Sequence, residues 1–485
     1  MKIHKPNRIL FILPIILVVI IIVLICVNKT KTESFSGGGF GFDSPTNNFP
    51  IFSNLYPPIY TQSMGSLEKL LNLSFKTAQH GVTKSPLIIC PDLGESKIWA
   101  TWDLNQTPNV RELDREQNFD QSTKWNCRKV QDKMSPLWYP PVETDDPTQF
   151  CWSNTSSVLY DSNNNLIHNQ KGVNTLVTEF GNIDFVSPEY MITLMEVLGS
   201  IGYSKGNNLF CAPYDFRKIL SRNVWQEYEL RLTQMIENSF ITSGKKVTLF
   251  GHGLGSVILN LFLNKKNKKW KDTYCKCLIS FAGSFGGCPK ALRTILSGSD
   301  YGNIKKNIFQ STISNYSGLQ LLLPNPIVYG NFEIATYNNI KYTTNDIERL
   351  LHENGHDSAS IYHNITLPMA KQSIEAPGVL VYAFAGTGVQ TESSYKYNMS
   401  LNTDPNKSYP TYSSDLAAGP SQYEKFQYPS EFNGDGTIPN FCSEIPLYWT
   451  SKQSEEIRYK FYNLAEHRDI LDNSEAIDDL VSILN

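Results

Sequence analysis

Nothing in this 485-residue chain supplies the basic surplus that a nucleic-acid partner requires. Lys and Arg number 43 against 46 Asp and Glu, a net charge of −3. Without a positive stripe there is no footprint for a phosphate backbone, so nucleic acid is excluded as a partner. Zinc is excluded by spacing: the nine cysteines and eight histidines nowhere fall into a ligand pattern. No metal or cofactor is implied. No internal repeat is present, which rules out a solenoid or propeller. Long apolar runs are missing as well, with one exception. Residues 9–27 form 19 consecutive positions broken only by Pro14, closed by Asn28 and preceded by Lys2, Lys5 and Arg8.

That exception has the length of a bilayer span and exceeds the hydrophobic region of a signal peptide. Its basic flank favours a cytosolic start, although Lys29 and Lys31 reduce the bias. Residues 1–28 are therefore expected to be a cytosolic tail and signal anchor. Residues 29–80, with Gly37-Gly38-Gly39, read as a stalk, and 81–485 as the main domain, lumenal or extracellular. Cleavage of the anchor would make the protein secreted. Either route enters the secretory pathway, where disulfides form. Sequons at Asn72, Asn105, Asn154, Asn315, Asn364, Asn398 and Asn406 are compatible with it.

The main domain is organised around residues 245–261, KKVTLFGHGLGSVILNL. An apolar strand pattern (Val247, Leu249, Phe250) runs into Gly251-His252-Gly253-Leu254-Gly255 and then into an apolar helix pattern through Phe262. Strand, glycine turn and helix form the setting of a nucleophile elbow, G-x-S-x-G. The central position here is Gly253, so the attacking hydroxyl is absent. Ser256 lies about one helical turn further on and faces elsewhere. A reading of the turn as a phosphate-cradling dinucleotide loop is weak, because the spacing is G-x-G-x-G and the loop lies mid-chain.

Strand patterns at 87–90, 209–213, 273–281, 379–384 and 457–462 alternate with helical ones at 189–201, 224–239 and 474–484. This order predicts an α/β fold with a mostly parallel, doubly wound sheet. Cys275 and Cys277, two apart on one strand, are expected to share a face and pack as small apolar residues. Residues 299–376 read as a helical insertion and 392–428 as a long loop. The loop between Cys127 and Cys151 holds Trp138 and Tyr139 and is followed by Trp152. It reads either as a stapled surface loop or as a mobile lid with aromatics for an interface. After plausible strands come Asp435, in Gly434-Asp435-Gly436, and then His467. Chain order nucleophile, acid, base is that of an α/β-hydrolase triad. The acid would orient the imidazole and the imidazole would take the nucleophile's proton. His252 reads as structural, pointing away from the reacting atom.

From about residue 84 onward the chain resembles the lecithin–cholesterol acyltransferase family, which includes lysosomal phospholipase A and phospholipid–diacylglycerol acyltransferases. Pro91-Asp92-Leu93-Gly94, the Cys127 to Cys151 loop ending in Cys-Trp, and Ala212-Pro213-Tyr214-Asp215-Phe216-Arg217 carry the likeness. Gly251 to Gly255, Trp270-Lys271-Asp272, Gly286-Gly287, Leu323-Pro324, Gly434-Asp435-Gly436-Thr437 and His467 continue it in order. The resemblance implies an α/β-hydrolase fold and acyl transfer from a phospholipid, through a serine acyl-enzyme, to water or an alcohol. Asp92 and Leu254 would then donate the backbone N–H groups of the oxyanion hole, and Asp435 and His467 would be acid and base. Cys127–Cys151 would staple a lid at about 100–155, with Trp138, Tyr139 and Trp152 as lid or membrane contacts. The insertion at 299–376 would cap an acyl-chain groove. Phospholipid or another acyl lipid, a membrane and an unidentified protein are the partners implied. Two departures stand out. Ala383 occupies the strand position of a second disulfide, leaving Cys442 unpartnered, and Gly253 replaces the serine. Loss of a triad serine removes on the order of a million-fold in turnover, about 8 kcal/mol of barrier. The alternatives are thus an impaired acyltransferase or phospholipase and a non-catalytic lipid-binding or partner-regulating protein.

Overall fold

The computed structural model describes residues 84–102, 135–137, 146–186, 189–298, 306–397 and 433–485, except 338, 354 and 357. These lie in one compact unit, residues 70–485. The apolar run at 9–27, the stalk, Cys127, Trp138, Tyr139 and most of the 392–428 loop lie outside the described residues. Among the described residues no helix is long and apolar enough to cross a membrane.

Six strands build the central sheet: β1 (Leu87–Cys90), β2 (Leu209–Cys211), β3 (Val247–His252), β4 (Cys275–Phe281), β5 (Val381–Thr387) and β6 (Ile457–Asn463). They pair in the order β6-β5-β4-β3-β1-β2, and every pairing is parallel. β1 and β3 are buried along their whole length, which is why they read as continuous apolar runs rather than alternating ones. The strands split their side chains by period two. Ile88, Leu249, Leu278 and Val381 enter one core. Ile89, Phe250, Ile279 and Phe384 enter the other, against the helix Ile192–Ser200 and the C-terminal helix.

Cys275 and Cys277 depart from the same-face expectation: Cys275 packs in the first core and Cys277 in the second. The register to β3 slips there, with Val247 opposite Cys275 and Thr248 opposite Cys277. A bulge at Lys276 re-aims one side chain. Both remain free and buried, as does Cys442. Cys151 is disulfide-bonded; its expected partner, Cys127, lies outside the described residues.

The helices include α1 (Asp146–Ser156), α2 (Arg222–Ser243), α3 (Leu254–Asn264) and α4 (Ser474–Leu484). α2 buries Trp225, Tyr228, Leu232 and Ile236 at helical spacing and ends on Gly244, whose left-handed φ of 67° closes the cap. α3 is buried on all sides, the expected state of a helix without a polar face. Among the described residues 306–376, several short helices accompany a hairpin, Glu333–Tyr337 with Ile340–Thr343. Its tight turn uses Asn339 at φ 66°.

Candidate active site

Open parallel sheets bind ligands beyond the C-terminal ends of their strands, where neighbouring strands send the chain in opposite directions. Here that point lies between β1, which leads towards β2, and β3, which leads towards β4. The β1 loop delivers Pro91-Asp92 and the β3 turn delivers Gly253. His467 follows β6, and Asp435 follows a two-residue pairing of Asn433–Gly434 with Val389–Gln390.

The turn keeps the strained shape of a nucleophile elbow, with Gly253 at φ 51° and ψ −120°. Its flanking glycines are needed for closeness: a Cβ on Gly251 would strike the backbone of Ser256, and one on Gly255 the carbonyl of Cys90. Gly253 is different. A Cβ there would overlap the carboxylate of Asp92. The space that belongs to a side chain at position 253 is already filled from another strand.

Asp92 is bound at both oxygens. Oδ1 accepts the Leu254 N–H at 2.6 Å, and Oδ2 lies 3.2 Å from His467 Nε2. On its far side His467 places Nδ1 2.8 Å from Asp435 Oδ2. Asp435 is buried, and its Oδ1 accepts the N–H groups of Thr437 and Ile438 at 2.9 and 2.6 Å. The result is a linear array, Asp435–His467–Asp92–Leu254 N–H. Burial alone would lower the His467 pKa, but the Asp435 and Asp92 carboxylates outweigh it and hold the imidazole well above its ordinary range. Burial likewise works against the Asp92 anion, and the hydrogen bond and charge of His467, with the Leu254 N–H, more than offset it. The pair is therefore an imidazolium and a carboxylate at neutral pH.

This differs from the oxyanion hole that the resemblance implies. The Leu254 N–H points into the site as expected, but it is occupied by the Asp92 side chain. The Asp92 N–H is also taken, by the hydroxyl of Tyr190 at 3.1 Å. The physical reason is the missing side chain at 253, which leaves a void lined by a donor N–H and an imidazole that a carboxylate can satisfy. A dinucleotide phosphate would need the same N–H and would meet an anion already there.

His252 is structural, as its position in the turn suggested. Its pKa is depressed to about 4, mainly by burial, so the ring is neutral and carries one proton. Nε2 lies 2.9 Å from the His467 carbonyl, which only accepts, so the proton sits on Nε2. Nδ1 then accepts from Tyr190 Oη at 2.9 Å. The chain Asp92 N–H to Tyr190, Tyr190 to His252, His252 to His467 C=O ties the three loops together. Tyr190 carried no sequence signal.

Underneath, Tyr214 Oη donates to the Pro91 carbonyl at 2.9 Å. Arg217, fully buried, forms a two-pronged ion pair with Asp215 at 3.0 and 2.8 Å. It also donates to the Ser156 carbonyl at the end of α1. The Ala212 to Arg217 motif thus braces the Asp92 loop and docks α1.

Asp92 and His467 line a cavity of about 270 Å³, together with Ser284, Lys290, Thr294 and Thr437. Leu137, Trp152, Phe216, Phe309, Tyr316 and Leu319 give it apolar walls. Trp152 thus faces inward, stacked near Phe309 and donating to the Leu137 carbonyl. Cys288 also lines the cavity, but burial pushes its thiol up to about 12, so no thiolate is available. Ser284 lines it too and was not anticipated; Ser256 is fully buried and does not.

The lecithin:cholesterol acyltransferase family model matches residues 137–367. Phosphatidylcholine-sterol acyltransferase of Mus musculus is 26% identical, over 74% of this chain and 79% of its own. Lysosomal phospholipase A and acyltransferase of Rattus norvegicus is 26% identical, over 74% of this chain and 84% of its own. A chain of the Tle4–Tli4 complex covers 83% of this chain and 98% of its own, at 11% identity and a TM-score of 0.45. The parallel α/β sheet, the strand–turn–helix elbow and the Asp435–His467 pair accompany this likeness, and over residues 137–367 the chain is similar to the lecithin:cholesterol acyltransferase family.

Proposed function

We propose that this chain handles an acyl lipid in the cavity between its sheet and its insertion, and that serine-type acyl transfer is silenced in it. The observation that carries this reading is the Asp92 carboxylate occupying the place of the nucleophile. Two requirements of an acyl-enzyme fail together. Position 253 offers no hydroxyl to His467, and the Leu254 N–H that would steady a developing oxyanion already holds a full negative charge. The mostly apolar lining, with Asp92 and His467 among its polar members, suits a lipid chain with its head group towards His467. The relatives' names, a phosphatidylcholine-sterol acyltransferase and a lysosomal phospholipase A and acyltransferase, support phospholipid acyl chains as candidate ligands.

The same reading puts the main domain in a secretory or endolysosomal lumen, tethered as a single-pass type II protein by residues 9–27. Cys127 and Cys151 would staple the lid, with Trp138 and Tyr139 as membrane contacts. A non-catalytic lipid-binding or partner-regulating role is its natural extension. The test is a pair of measurements on the purified full chain. A fluorescent phosphatidylcholine should bind, and ester hydrolysis should stay at the level of a His467→Ala variant. Turnover of the ester that His467→Ala abolishes would overturn the reading.

A further inference from the structure

The Asp435–His467–Asp92 array is more than a plug, because the two oxygens of Asp92 have different neighbours. Oδ1 sits on a backbone N–H donor, Oδ2 sits against the imidazole of an Asp–His pair, and the carboxylate opens on the apolar cavity. A serine side chain at 253 would project into this same space. We propose that Asp92 is itself a nucleophile, and that the protein opens an epoxide carried on a long acyl or alkyl chain.

Chemistry selects the electrophile. Attack of a carboxylate on an ester carbonyl would expel an alkoxide, a far stronger base, and leave an anhydride, so that direction is uphill. Attack on the tetrahedral carbon of an epoxide releases ring strain and leaves an ordinary ester. An opened epoxide oxygen must also be protonated, and His467 carries the proton for it.

In the first step Oδ2 bonds to a ring carbon and that carbon's bond to the ring oxygen breaks. The electron pair stays on the oxygen, which takes the proton from His467 Nε2. The product is a hydroxyalkyl ester of Asp92 beside a neutral imidazole that Asp435 orients. In the second step His467 removes a proton from water and the water oxygen adds to Cγ of Asp92. The negative charge then develops on Oδ1, which already accepts the Leu254 N–H. Collapse breaks the bond from Cγ to the alkyl oxygen, which takes the proton back from His467. The diol leaves, and the new carboxylic acid returns its proton to the imidazole. The sum is epoxide plus water giving diol, with one oxygen of the diol taken from Asp92. The epoxide carbon must approach Oδ2 from the cavity, whose walls accept a hydrocarbon chain.

This goes beyond the lipid-binding reading but uses its pocket, so the experiment separates the two. The purified full chain is incubated with the methyl ester of epoxidised oleic acid in heavy-oxygen water, and diol and the Asp92 peptide are analysed by mass spectrometry. The expected result is diol formation with heavy oxygen in the Asp92 side chain. Asp92→Asn, whose folding is checked by its melting temperature, should lower diol formation about a thousand-fold or more. Equilibrium dialysis of the same epoxide reads occupancy. Binding with no diol and no label at Asp92 overturns the proposal and leaves the lipid pocket standing. Diol formed without label at Asp92 overturns it in favour of direct water attack. No binding overturns both.

Discussion

The two halves of the site are held by different means. The acid–base half is local: Asp435 accepts from the Thr437 and Ile438 N–H groups of its own turn, and its carbonyl accepts the His467 N–H at 2.8 Å. The nucleophile half is assembled from distant strands, with the turn after β3 supplying shape and the loop after β1 supplying the reacting group. Because the halves share no backbone, one can change its chemistry while the other keeps its geometry. Gly253 has altered the attacking atom and left the Asp435–His467 pair intact. An intact proton relay is therefore no evidence of which atom it serves.

The sharpest way to break that comparison is to rebuild the serine. Gly253→Ser alone places a side chain on the Asp92 carboxylate, and turnover of a short-chain ester should stay low. Gly253→Ser with Asp92→Ala frees both the space and the Leu254 N–H. Its turnover should exceed the single variant's by about a thousand-fold, near 4 kcal/mol of barrier. Equal rates in the two variants would mean that Asp92 swings aside at no cost, and the halves would not compete. Stopped-flow hydrolysis of a nitrophenyl ester reads both.

Next in size is the brace beneath the Asp92 loop. Arg217→Ala leaves Asp215 buried without its guanidinium partner, with Lys218 3.8 Å away and the Thr175 hydroxyl at 3.4 Å. Breaking such a pair from one side destabilises by about 3–5 kcal/mol. Urea melting should show this loss, whereas Asp215→Asn with Arg217→Met should recover part of it by removing both charges.

Protonation gives a smaller and directional test. The His467 pKa is raised in the folded protein, to about 10, so its contribution to stability is complete below about 6.5, the unfolded value. It is then lost as pH rises through the folded value. Asp92 is depressed, to about 2, so its contribution is present above about 3.9 and lost as pH falls towards the folded value. Melting temperatures of the natural protein and Asp92→Asn should differ most between these limits and converge towards pH 10. A constant difference across that range would show that Asp92 and His467 do not titrate as a pair.

Much of the frame was legible in the residues. The strands at 87–90 and 457–462 and the helix at 474–484 fall where apolar periodicity put them, because their burial is what periodicity records. Asp435 and His467 were legible as a pair because turn chemistry and chain order both mark them. What could not be read were contacts set by three-dimensional closeness. The Asp92 side chain entering the 253 space needs β1 and β3 side by side. Tyr190 sits in a stretch with no motif. The Cys275–Cys277 split depends on a bulge that only pairing with β3 reveals. The 333–343 hairpin was missed because its second strand exposes Ile340 and Lys341 and so lacks a clean apolar face.

The smallest effect should come from Tyr190→Phe, and it separates positioning from chemistry. The hydroxyl both accepts the Asp92 N–H and donates to His252 Nδ1. Its loss leaves two buried polar groups short of a partner, about 1–3 kcal/mol of stability. The ring itself, packed against Phe185 and His252, remains. If the hydroxyl only positions the loops, the Asp92 N–H turns free to point into the site, and Gly253→Ser with Asp92→Ala should tolerate the change with little loss of ester turnover. A large loss there would show that the Tyr190–His252 link sets the place of His467 through its carbonyl, and that the two halves are coupled after all.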